Sequence, residues 1–232
     1  MSSSQWATQT FPKLTGINIP DILRVSHRSY DAVLPLSAQG IQTIPHIRTC
    51  DFSESDLVTL CDGLIKNNGP HILLISGDPP PNLLQPVHTH SITHIIKLLS
   101  TTFPEGHFYA AHDPYRQSLK DEFLYSEKKL AAGAKGLFTQ PLFDPQLTQF
   151  LLNSSLGATW YIGISPVLTQ PSFNYWVTRN HVVFRQDIEL TMDYNIRMGR
   201  DILALCEQYN QHNYIMPIKT PFRGYLNRLL HD

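Results

Sequence analysis

The stretch His71 to Pro81, HILLISGDPPP, decides how the rest of the chain is read. Ile72 to Ile75 are apolar without alternation, the pattern of a strand covered on both faces. The run ends in Gly77-Asp78 and then in three prolines, Pro79 to Pro81, each of which fixes φ near −65° and stiffens the exit. Gly77 lets a flat ligand or a neighbouring backbone come close, and Asp78 offers a carboxylate in the same space. The plainer alternative is a proline-stabilised turn with a solvated aspartate.

Comparable apolar runs stand at residues 16–21, 41–48, 107–111, 136–140, 159–165 and 213–217, which makes seven strands with the first-quoted one. Amphipathic stretches separate them. Ser53 is placed to cap a helix in which Leu57, Leu60, Cys61, Leu64 and Ile65 share a face, and Gly69 follows where a C-terminal glycine belongs. Asp144-Pro145 opens a second helix, because proline at the first helical position has no amide to lose. A third ends at Gly133 with Lys128 and Lys129 in its last turns, and a longer pattern runs over 188–209. Residues 182–185, VVFR, read as loop.

Repeated strand–helix alternation predicts a parallel α/β fold. The expectation is a TIM-barrel-like (β/α)8 architecture, with seven strands visible where a full barrel has eight. Residues 1–15 read as an N-terminal extension and 16–232 as one barrel domain. An open seam exposes strand edges, so the N-terminal segment or a second chain is expected to cover it.

The 232 residues carry a formal net charge of −1 and are 42% hydrophobic, enough for a sizeable core and without the basic footprint of a nucleic-acid or anionic-membrane binder. No apolar run approaches the roughly 20 residues of a spanning helix. No signal peptide is read at the start. Cys50, Cys61 and Cys206 are odd in number and far apart, which suits a reducing compartment and makes the cytoplasm the expected location. Partners read as a small-molecule substrate and either further copies of the chain or a partner subunit.

In such folds chemistry collects where strands end. The exits read Pro20-Asp21, His46 to Thr49, Ser76 to Asp78, His112-Asp113, Thr139-Gln140, Ser165-Pro166 and Met216-Pro217. Other signals are weaker. His88, His90 and His94 lie close, and the last two have i,i+4 spacing suited to a divalent metal; no carboxylate or cysteine stands nearby in sequence, and exposed or capping histidines are the commoner outcome. The aromatics Phe173, Tyr175, Trp176 and Phe184 fit a packed cluster better than a lid over a ring-shaped ligand. Ser165 has no nucleophile-elbow context, and no glycine-rich phosphate loop is present.

Four stretches, IPHIRTCDFSESDL, GPHILLISGDPPP, AAGAKGLFTQPLFD and YIGISPVL, resemble in order and spacing the motifs of the methylenetetrahydrofolate reductases. These are a PHLTC-type strand, a strand ending GDxP, an AGA-x-x-x-x-TQ-x-x-FD turn and a PGI-x-P strand. GINIPDI and YIMPIKTPFRGY look like the reductase part of bacterial fusions with homocysteine methyltransferase. The resemblance spans about residues 16–230.

It implies a flavoprotein oxidoreductase of one-carbon metabolism and methionine biosynthesis. Such an enzyme holds FAD non-covalently and passes a hydride from NADH or NADPH to 5,10-methylenetetrahydrofolate, giving 5-methyltetrahydrofolate. The flavin-contacting positions fall on His46, Ser76, Gly77, Asp78, Ala110, His112, Glu122 and Lys129. Folate-binding positions fall on Gln140 and Arg223, and Asp78 is also implied as catalytic. The family's N-terminal acid glutamate has no counterpart, since the nearest echo, TQTFPK, carries Gln9 there, and the few residues before INIPD imply, against the family's pattern, a barrel whose first β/α unit is missing or altered. Asp21, Glu122, water or a partner chain would have to supply that proton. A non-catalytic folate- or flavin-binding relative acting as a partner subunit is the alternative.

Overall fold

The computed structural model describes residues 3–22, 27–78, 87–218 and 220–231. Pro79 to Pro81, which the sequence reads as a stiffened exit, lie outside the described residues. The chain resolves into two compact units, Met1–Ala111 with Lys128–Gly136, and His112–Glu127 with Leu137–Asp232.

In the first unit, α1 (Ser3–Thr10) precedes β1 (Ile17–Ile19). Within residues 3–15, Ala7 and Phe11 are buried, and Trp6 meets Phe11 edge to face at 5.6 Å. A 3-10 turn and α2 (Val33–Ser37) lead to β2 (Thr43–Arg48), then α3 (Glu54–Asn68), β3 (His71–Ile75), α4 (Ile92–Thr102) and β4 (His107–His112). β1 pairs with β2, β2 with β3 and β3 with β4, all parallel. α4 buries Ile92, Ile95, Ile96 and Leu99, the i, i+3, i+4, i+7 stripe of a helix with one face on a sheet. α3 begins where Ser53 Oγ accepts the Asp56 amide N–H at 3.2 Å.

The second unit takes in most of α5 (Leu119–Ala131), then β5 (Leu137–Leu142), α6 (Pro145–Leu152), β6 (Trp160–Ile164), α7 (Gln170–Asn180), α8 (Met192–Gln208), β7 (His212–Ile215) and α9 (Phe222–Leu230). β5 pairs with β6 and β6 with β7, again parallel. α8 starts four residues later than its apolar pattern, because Thr191 Oγ1 accepts the Tyr194 N–H at 3.2 Å and fixes the helix start there. The aromatics of 173–184 form a cluster: Phe173 stacks on Phe184, and Phe143 packs against both Phe184 and Trp176.

The strands follow one another in sequence order, β1 to β7. This is the TIM-barrel-like α/β class that the alternation predicts. No helix among the described residues is long and apolar enough to cross a membrane.

Candidate active site at the strand exits

In the first unit, β2 ends on Arg48 and a 3-10 turn, Thr49–Asp51, follows at once. Arg28 grips Asp21, just after β1, with two bonds: Nε donates to Oδ1 at 2.8 Å and Nη2 to Oδ2 at 2.6 Å. Its Nη2 also donates to Asp51 Oδ2. Arg48 reaches the same oxygen, with Nε donating to Asp51 Oδ2 at 3.0 Å. Asp21 is fully buried, Asp51 and Arg48 nearly so, and Arg28 keeps 21% of its side chain exposed. Two cations and two anions thus neutralise one another at the exits of β1 and β2.

Burial alone would push the Asp51 carboxyl up, but the N–H bonds from Arg48 and Arg28 outweigh it and hold the group below the usual carboxylate range. The same partnership, with Asp21 first, raises Arg28 further above its ordinary value. A guanidinium has five N–H donors. The bonds described use three of Arg28's, and its Nη1 takes no part in them. Arg28 also lies over the Tyr30 ring, 5.6 Å from its centre.

Around this network stand further candidates. Cys50 Sγ donates to Asp51 Oδ1 at 3.3 Å; burial first, and then Asp51, push its pKa up, so it rests as a thiol. His46 Nε2 pairs with Asn18 Oδ1 on β1, and burial lowers the imidazole pKa to about 4. The ring is therefore neutral near pH 7, with Nε2–H donating to Asn18. Gly77 has φ +80°, and a Cβ there would stand 2.8 Å from Cys50 Sγ and 3.0 Å from Arg48 Cζ. The main-chain carbonyl of Asp78 accepts from Arg48 Nη2, while the Asp78 residue is exposed.

The implied flavin and folate positions do not all share such surroundings. His46, Ser76, Gly77 and Asp78 stand on the last part of β2 and the exit of β3. Ala110 is fully buried within β4, and Lys129 is 5% exposed with Nζ donating to the Ala111 carbonyl at 2.6 Å. In the second unit, His112 is fully buried, bonded through Nδ1 to Ser126 Oγ at 2.8 Å and packed edge-on to Trp160 and Phe123. Glu122 is 1% exposed; its Oε1 accepts the Asp113 N–H at 3.1 Å and its Oε2 accepts from Gln117 Nε2 at 2.7 Å. Arg223 is exposed on the first turn of α9.

Gln140 is half-buried on a bulge in β5, where the register steps from Phe138↔Tyr161 to Pro141↔Gly163. Thr139 Oγ1 accepts the Gly163 N–H at 3.0 Å, taking over a ladder bond that the extra residue displaces. Tyr214 adds a bond from its hydroxyl to the Thr139 carbonyl.

His90 Nε2 donates to the Phe52 carbonyl at 2.9 Å and His94 Nε2 meets Glu54 Oε1 at 3.0 Å, so a carboxylate forty positions away in sequence joins the histidines. Among the described residues no group of three or more His, Cys, Asp or Glu side chains is placed to hold a metal ion.

No protein-family model and no curated protein matches this chain. Solved structures do. A 2,3-dimethylmalate lyase of the PEP mutase/isocitrate lyase superfamily is 8% identical, with 97% of this chain and 83% of that one covered at a TM-score of 0.52. Oxaloacetate acetylhydrolase, solved with 3,3-difluorooxalacetate, is 10% identical, with 96% and 82% covered at 0.53. At such identities the likeness is one of fold.

These neighbours overturn the reductase reading. The resemblance to methylenetetrahydrofolate reductases is not supported, and with it fall the oxidoreductase and flavoprotein assignments, FAD, NADH or NADPH as co-substrate, and the folate reaction of methionine biosynthesis. The physical reason is that the matching residues answer needs of the backbone. Gly77 is glycine because Cys50 and Arg48 fill the space of a Cβ, and Gly133, at φ +113°, would set a Cβ 2.7 Å from Ser100 Oγ. Asp144 caps α6 through Oδ1, which accepts the Gln146 N–H at 2.8 Å. Chains that build parallel strand–helix units meet these needs whatever they bind. Conversely, the sequence reading placed Arg48 at a strand exit without giving it a role, and passed over Arg28 and Asp51. The signal available was HIRTCD, which sets Arg48 and Asp51 three apart around a strand end.

Proposed function

We propose that this chain is an enzyme of lyase or mutase type, acting on a small carboxylate at the exits of β1 to β3. The observation that carries the reading is Arg28. Its guanidinium is fixed by Asp21 and Asp51 yet keeps part of its surface and its Nη1 outside those bonds. A preorganised N–H donor pair that keeps part of its surface open suits a carboxylate oxygen, or the enolate oxygen that develops when a bond beside a carbonyl breaks. Two neighbours of the same fold are named for small dicarboxylates, 2,3-dimethylmalate and oxaloacetate, which supports that class.

In this reading Asp78 takes the proton of a substrate hydroxyl or of an attacking water, and Arg28 anchors the acid. Cys50 is no nucleophile at rest, since its surroundings keep it protonated. Three buried free cysteines agree with work in a reducing cytoplasm.

The test is to incubate the purified chain with oxaloacetate or 2,3-dimethylmalate and follow the products by proton NMR. At least one acid is expected to be consumed, and Arg28→Gln is expected to lower kcat/KM roughly 10- to 100-fold, the worth of a hydrogen bond to a charged group. If neither acid is bound or consumed at millimolar concentration, the reading fails.

A further inference from the structure

Arg48 is the most buried cation of the exit network, and its bonds run in two directions. Nε serves Asp51, which Arg28 shares. Nη2 serves the main-chain carbonyl of Asp78, across the gap between the β2 and β3 exits. Three other contacts fix the same spot. The Cys50 N–H donates to the Ser76 carbonyl at 3.1 Å, and the His88 N–H donates to the Cys50 carbonyl at 2.9 Å. Gly77 turns at φ +80°, and the Arg48 and Cys50 side chains fill the space that a Cβ there would need. The carbonyl of Asp78 is thereby drawn in, towards the guanidinium, while the residue itself is exposed.

We propose that Arg48 is a positioning residue: it ties the Gly77-Asp78 exit to the arginine–aspartate network and so sets where the Asp78 carboxylate meets the substrate that Arg28 anchors. This rests on the function proposed above, and it separates the two arginines by role. Arg28, the more exposed, binds. Arg48, at 6% side-chain exposure, acts through Asp78. Two features make Arg48 hard to replace. Its planar fork serves a carboxylate and a carbonyl at once, which a lysine ammonium does not match in geometry. Its charge also balances Asp51, so a neutral substitute leaves Arg28 alone to compensate both carboxylates.

The experiment compares the full chain with Arg48→Gln and Arg48→Lys, by backbone amide relaxation and by kinetics on whichever acid the wild type consumes. In the wild type the amides of Gly77 and Asp78 are expected to be as ordered as β3, with order parameters near 0.85; in Arg48→Gln they are expected to fall below about 0.6 while those of β2 hold. kcat is expected to fall about 100-fold, the cost of a misplacement near 1 Å, with KM within about twofold of wild type. Methylguanidinium added to Arg48→Gln is expected to recover part of both.

Unchanged order at Gly77 and Asp78 overturns the inference, and so does a rise in KM at constant kcat, which would make Arg48 a second anchor. Should Arg48→Gln not fold, Arg48→Lys decides by the same two readouts. If the wild type consumes neither acid, the proposed function falls, and the amide order alone still decides whether Arg48 holds the exit.

Discussion

At the scale of single residues, the exits of β2 and β3 are set by fit as much as by charge. Gly77→Ala brings a methyl carbon to 2.8 Å from a sulfur and 3.0 Å from a guanidinium carbon, at a φ of +80°. The left-handed backbone alone costs a non-glycine residue roughly 1–2 kcal/mol. A loss of about 2–3 kcal/mol in urea denaturation is expected, and a loss under about 0.5 kcal/mol would mean that Arg48 and Cys50 yield easily. His46 offers a second test through pH. Its folded pKa of about 4 lies below the ordinary histidine value of about 6.5, so between these the unfolded chain holds a proton that the folded chain refuses. Stability is therefore full above about pH 6.5 and declines as pH falls towards 4, by up to about 3 kcal/mol. His46→Gln keeps a donor for Asn18 and is expected to flatten that decline in denaturation midpoints measured from pH 7 to pH 4. An unchanged slope would assign the pH dependence to other groups.

At the scale of elements, the strands were legible and their decoration was not. All seven apolar runs are strands, because a run covered on both faces has few other ways to satisfy its backbone. Helix ends were readable where a side chain closes them, as at Ser53 and Asp144. α1 and α9 escaped notice: α1 is polar with a single buried residue, and α9 buries only Tyr225, Leu226 and Leu229. The bulge in β5 was invisible too, since it arises from register between strands and leaves no local mark. Asp144 gives this scale its prediction. Its carboxylate closes α6 by accepting the Gln146 N–H, and its carbonyl receives the Thr148 hydroxyl at 3.0 Å. Asp144→Ala removes the first bond and keeps the second, so a loss of about 1 kcal/mol is expected by thermal or urea unfolding. Asp144→Asn is expected to recover most of it. Equal losses in both would show that Asp144 acts through its charge, for instance towards Arg185, 4.0 Å away.

At the scale of the molecule, motif order proved a poor guide to chemistry and a good guide to architecture. Glycines at tight exits, aspartates at helix starts and short apolar strands recur in sequence because parallel strand–helix units need them in that order. What distinguishes this chain is a set of contacts seven to thirty residues apart, Arg28 to Asp21 and Asp51, and Arg48 to Asp78, which no local pattern announces. Burial of the thiols is likewise a property of the folded whole. Cys61 and Cys206 are fully buried, one in each compact unit, and burial pushes both up to about 12; Cys50 is 7% exposed. A disulfide reagent needs access and a thiolate, and the fold withholds both. None of the three thiols is therefore expected to react with Ellman's reagent at pH 8 in the minutes an exposed cysteine takes, and all three are expected to react at once in guanidinium chloride. Mass spectrometry assigns the order of labelling as denaturant rises. Rapid native labelling of Cys61 would place a low-energy opening in the unit that carries Arg28 and Arg48, and rapid labelling of Cys206 would place it in the unit that carries Gln140.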